Sequence, residues 1–159
     1  MTTLQSAVRR RRAVAAAGAV SAGLLLLSAC EKPTPVATIT VGESSVNSEA
    51  LCYNDGNTLD AKTLAKCAKK VNDVKSITVD TDATVRFGVD PKIADEGWVL
   101  LVNGRQFTDV SKKTYRTIPG SAFFNAQYGT EGDTNTVSIQ MGGTTPGKGL
   151  WSFKLKKAS

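Results

Sequence analysis

Three thiols, Cys30, Cys52 and Cys67, are the residues of this 159-residue chain best suited to chemistry, and no histidine accompanies them. Without histidine the commonest general base and metal ligand is missing, so Ser-His and Cys-His nucleophile pairs are excluded. Ser-Lys catalysis stays formally open, but no motif selects one pair among many serines and lysines. Asp80 and Asp82 place two carboxylates around Thr81 in a stretch suited to calcium, yet Ala83 and Thr84 follow without further ligands, as in a plain β-turn. The glycines between 142 and 149 carry no Gly-Lys-Ser or Gly-Lys-Thr and open no helix, so they do not form a phosphate loop. These residues point to a protein that is not an enzyme and has neither metal nor cofactor.

Cys30 stands at the end of a distinctive run. Arg9 to Arg12 are followed by fifteen uncharged residues, Ala13 to Leu27, interrupted only by Gly18, Ser21 and Gly23. A basic segment before a short apolar one is the layout of an export signal. A membrane-crossing helix needs roughly 20 apolar residues, and this run stops short at small residues. Leu27-Ser28-Ala29-Cys30 resembles the lipobox of bacterial lipoproteins, in which the thiol is acylated and cleavage leaves the cysteine first. An ordinary secretory signal with Cys30 near its cut is the alternative. Two acyl chains, at about 0.8 kcal/mol per buried methylene, hold a protein durably at a membrane. The expected location is the extracytoplasmic face of the cell membrane. The arginines are compatible with a plain basic n-region or with twin-arginine export.

Cleavage removes residues 1–29 as a signal peptide and leaves 130 residues, enough for one domain with its own core. The basicity goes largely with the signal. The net charge of +6 for the whole chain falls to +2 with 16 Lys and Arg against 14 Asp and Glu. Nucleic-acid binding is therefore not implied. With Cys30 acylated, Cys52 and Cys67 remain for a disulfide, two free thiols or a metal pair. Disulfides persist outside the cytoplasm, and the gap between the two lacks the short spacing of zinc ligands. A bond closing about 15 residues would stabilise the fold by roughly 3 kcal/mol.

The mature chain reads as a lipidated Cys30 with a short Pro-containing tether to residue 36, then a β domain over 37–159. Alternation places Ala37, Ile39 and Val41 on one strand face. It does the same for Val85, Phe87 and Val89, for Val137, Ile139 and Met141, and for Trp151, Phe153 and Leu155. A weaker strand is expected from Val46 to Cys52, and others around Ile77 and Val79 and from Thr114 to Ile118. Trp98–Val102 is continuous and apolar, as in a strand buried on both faces, and Asn103-Gly104 after it signals a tight hairpin. Pro119-Gly120 reads as a turn. One helix is expected over Leu59–Val71, capped by Asn57 or Thr58, with Lys62, Lys66, Lys69 and Lys70 in solvent. Pro91 to Glu96 fits a single helical turn.

Seven to nine short strands and one short helix predict an all-β fold, an antiparallel immunoglobulin-like sandwich, with a barrel as second choice. Phe123, Phe124 and Tyr128 offer either an exposed platform for a glycan or protein partner, or a cap on one end of the sandwich.

Taken as a set, several features resemble a family of uncharacterised actinobacterial lipoproteins, a domain of unknown function. They are the lipobox, the Cys52 and Cys67 pair, Gly88-Val89-Asp90-Pro91, Trp98 with Asn103-Gly104, Tyr115-Arg116 before Pro119-Gly120, and Trp151-Ser152-Phe153-Lys154-Leu155. The resemblance implies a lipid-tethered extracytoplasmic domain and brings no catalytic residues. The function expected is a membrane-anchored, non-enzymatic module binding a cell-envelope protein or glycan. A small-ligand carrier using the aromatic cluster and glycine-rich loop is the alternative.

Overall fold

A computed structural model describes residues 34–143 and 146–159. The signal peptide, Cys30 and the tether up to Pro33 lie outside the described residues.

The first sheet is antiparallel throughout. It contains β1 (Ala37–Val41), β2 (Ser44–Ser48), β5 (Thr84–Val89) and β8 (Tyr115–Pro119) in the order β2-β1-β5-β8. Gly42 and Glu43 join β1 to β2 through a two-residue turn with Gly42 at positive φ, which places glycine where such hairpins require it.

The second sheet runs β10-β9-β6-β7, from β6 (Trp98–Val102), β7 (Arg105–Gln106), β9 (Thr134–Met141) and β10 (Gly149–Lys157), again antiparallel. Asn103 and Gly104, both at positive φ, make the expected tight turn between β6 and β7. The far edge of β10 is shared by two short strands. β3 (Cys52–Tyr53) pairs antiparallel with Gly149 and Leu150, and β4 (Ser76–Val79) pairs parallel with Lys154 to Lys157.

This is a two-sheet sandwich with the strand order of an immunoglobulin-like domain. β1, β5 and β8 stand where strands A, B and E do, and β6, β9 and β10 where C, F and G do. Trp98 opens the strand in the C position and is fully buried, although no disulfide joins the B and F positions as it does in antibody domains. The core fills the space between the sheets with Ile39, Val85 and Phe87 from one, and Trp98, Leu100, Ile139, Trp151, Phe153 and Leu155 from the other.

Several expectations need correction. The described residues hold ten strands, because Val46–Cys52 divides into β2 and β3. The helix α1 covers only Ala61–Ala68. Asp60 caps it, accepting from the Thr63 N–H at 2.8 Å. Asn57 instead closes a turn on Asn54, and Leu59 donates its N–H to Gly147. Ala61 and Ala68 are exposed, and Cys67 is the buried residue of the helix, while the four lysines do face solvent. Pro91–Glu96 forms a second short helix, α2, capped by Asp90. Pro119 ends β8, and the turn expected at Pro119-Gly120 is a 3-10 turn that opens at Gly120.

The outer face of the second sheet is also covered. Leu150 and Ser152 point away from the core residues Trp151 and Phe153, yet both are buried, and α1 packs against β10. Ser138 and Ser152 meet there at 2.7 Å, so each hydroxyl has a partner despite its burial.

Candidate binding groove

Cys52 and Cys67 are joined in a disulfide, with Cα atoms 6.0 Å apart. The bond ties α1 to β3, and so to the edge of β10. Its role is structural, since Cys67 is buried beneath the helix.

The three aromatic residues do not share one exposed platform. Phe123 is fully buried, its ring 5.7 Å from Phe87 and 5.5 Å from Phe107. Phe124 is half-buried against the core, and Tyr128, edge-on to Phe107, is the exposed member. Polar staples hold this segment down. Buried Asn135 donates to the carbonyls of Phe123 and Thr130, and Asn103 donates to the Asn135 side chain. Phe123 is therefore packed into the sandwich while Tyr128 stays at the surface.

Asp80 forms a turn: its carboxylate accepts from the Asp82 N–H and its carbonyl from Ala83. Among the described residues no three acidic or thiol side chains converge as metal ligands.

A further concave feature lies elsewhere. Val110, Ser111, Lys112, Lys113, Tyr115, Arg116 and Thr117 line an open groove of about 660 Å³ between the β7–β8 connection and β8. Arg116 also lines an adjoining groove with Gln106 to Asp109.

Trp98 builds the wall. Its main chain exchanges two hydrogen bonds with Ser111, at 2.8 and 2.9 Å, and its indole N–H donates to the Lys113 carbonyl at 2.8 Å. The Ser111 hydroxyl in turn accepts from the Lys113 N–H. A loop with no regular structure of its own is thus fixed to the buried start of β6. Arg116 completes the wall, its guanidinium 5.9 Å from the Trp98 ring and donating to the Asp109 carbonyl.

The surface so formed is unusual for this molecule. Val110 is 51% exposed and Tyr115 65% exposed, two of the three large apolar side chains exposed among the described residues. Beside them Lys112 and Lys113 are exposed and have no carboxylate partner among the described residues. The one ion pair among the described residues joins Lys148 to Glu96.

A smaller hollow lies between β3 and the start of α1, lined by Cys52, Tyr53, Thr58, Asp60 and Thr63. Burial, and then the nearby charges of Asp55, Asp90 and Glu96, raise the Tyr53 phenol above its usual value. The hydrogen bonds from the Thr63 hydroxyl and N–H lower the Asp60 carboxyl.

No single stretch of sequence announces the groove. Its only local sign is Lys112-Lys113 followed by Tyr115-Arg116, three cations around an aromatic residue in a segment without periodicity.

No protein-family model, no curated protein and no solved structure matches the chain.

Proposed function

We propose that this protein is a non-enzymatic envelope lipoprotein, acylated at Cys30 and held on the extracytoplasmic face. Its sandwich would bind a protein or cell-wall partner through the Val110–Thr117 groove. The observation that carries the reading is the coincidence, on one groove, of exposed Val110 and Tyr115 with Lys112 and Lys113, which have no counter-charge among the described residues. Exposed apolar groups beside unsatisfied charges are characteristic of recognition surfaces. The Cys52–Cys67 disulfide supports an oxidising location. The carrier reading has less support, because Phe123, one of the aromatic residues it needs, is buried in the core.

Two experiments test this. Replacing Cys30 by Ala should abolish acyl labelling and release the protein from membranes; unchanged labelling overturns the anchor. A photo-crosslinking residue at Tyr115 should capture a partner on intact cells, and one at Asn47 on the opposite edge should not. Equal capture at both positions overturns the groove.

A further inference from the structure

We propose that the partner contributes an extended acidic segment, which adds as a fifth strand along the free edge of β8. The inference rests on the groove being the partner site and names what occupies it.

The main-chain geometry comes first. Val89 donates its N–H to the Thr114 carbonyl, and Gly120 donates to Ala83. In an antiparallel pair the bonded residues alternate, so residues 114, 116, 118 and 120 turn their polar groups toward β5. Tyr115, Thr117 and Pro119 turn theirs outward. Among the described residues no acceptor meets the N–H of Tyr115 or Thr117. The edge thus offers two donors and two acceptors, from Tyr115 and Thr117, and Pro119, which has no N–H and whose carbonyl opens the 3-10 turn Gly120–Phe123, ends the pairing.

The other edges are short or lie near a neighbouring strand. β2, on the far side of the same sheet, packs against β4, which is itself bonded to β10. β7 has two residues, too few for a template. Natural sheets usually guard a free edge, and an unguarded one is the ready site for strand addition.

Charge then selects the occupant. An incoming strand has its side chains alternately on the face of Tyr115 and Thr117 and on the face of Arg116, and both faces border the groove. Lys112, Lys113 and Arg116 all line the groove, so carboxylates on alternate residues find cations there. Val110 supplies an apolar contact between them. A second copy of this chain is the wrong occupant, because pairing β8 with β8 would bring both sets of cations together.

The test uses the full-length chain in detergent and a capped peptide of about seven residues, near the usual strand length, alternating glutamate and valine. The peptide should slow hydrogen exchange at the Tyr115 and Thr117 amides by about tenfold or more and leave β2 unchanged. Lys112→Glu with Lys113→Glu should weaken binding about tenfold or more, and added salt should weaken it in the wild type. Thr117→Pro removes an outward donor without touching the ladder to β5, and should abolish protection at that edge. Should that variant fail to fold, a peptide N-methylated along one edge carries the same test from the other side and should not bind.

Equal binding by the N-methylated peptide, or by a peptide with lysine in place of glutamate, overturns the proposal. So does protection of Tyr115 and Thr117 in the chain alone with a dimer in sedimentation. If Tyr115 crosslinks a partner on cells but no peptide protects the edge, strand addition fails and the groove stands. If crosslinking fails as well, both fall.

Discussion

The indole of Trp151, in the middle of the second sheet, donates a 2.8 Å hydrogen bond to the carbonyl of Pro35, just before the first strand. The residues leading into β1 are therefore fastened to the opposite layer of the sandwich. A second tie runs from the Asp90 N–H to the Val36 carbonyl.

Trp151→Phe keeps most of the buried ring and removes the donor, stranding a buried carbonyl. It should cost about 1–3 kcal/mol in urea denaturation. A loss below about 0.5 kcal/mol, the scatter of surface substitutions, would show that the bond contributes nothing.

Reduction of Cys52–Cys67, or the double replacement by Ser, should lower stability by roughly 2–4 kcal/mol, because the unfolded chain regains a loop of about 15 residues. Thermal melts with and without reductant measure it. Coincident melts would mean that packing alone holds α1 in place.

Asp60 gives a pH dependence with a definite sign. Its carboxyl lies lower in the folded protein than in the unfolded chain, because Thr63 donates to the ionised form. The charge-dependent stability is present above the unfolded value and is lost as pH falls through the folded one. Asp60→Asn should therefore lower the melting temperature at neutral pH, with the two proteins converging as pH drops below about 4. A constant difference across that range would refute the role of the charge.

Gly120 is needed for close approach. A Cβ there would press on the Asp80 carbonyl and sit 2.9 Å from the Ala83 oxygen and 3.0 Å from Val79. Gly120→Ala should cost about 1–3 kcal/mol, read by denaturation, with loss of the Gly120–Ala83 hydrogen bond seen in amide exchange. An unperturbed variant would mean that the turn relaxes freely.

The strands were legible where alternation is strict. Ala37, Ile39 and Val41, or Trp151, Phe153 and Leu155, show which face is inward without any structure. Ser152 misleads for the same reason: its polar position implies solvent, but α1 covers that face and Ser138 satisfies the hydroxyl. The helix start was misplaced because Leu59 is drawn into a bond with Gly147, 88 residues away in sequence, leaving Asp60 as the cap. Nothing local marks β4 as parallel to β10. The groove was least legible, since it depends on Ser111 meeting Trp98 and on an edge left bare, both products of the assembled sheets.

One consequence concerns timing. β10 is the shared partner of β3, β4 and β9, and it is the last strand of the sandwich to be synthesised. A nascent chain halted before residue 149 leaves three earlier strands without their common neighbour. The ribosome therefore releases nearly the whole domain before the second layer can close, and until then a protease meets a polypeptide with little to shield it.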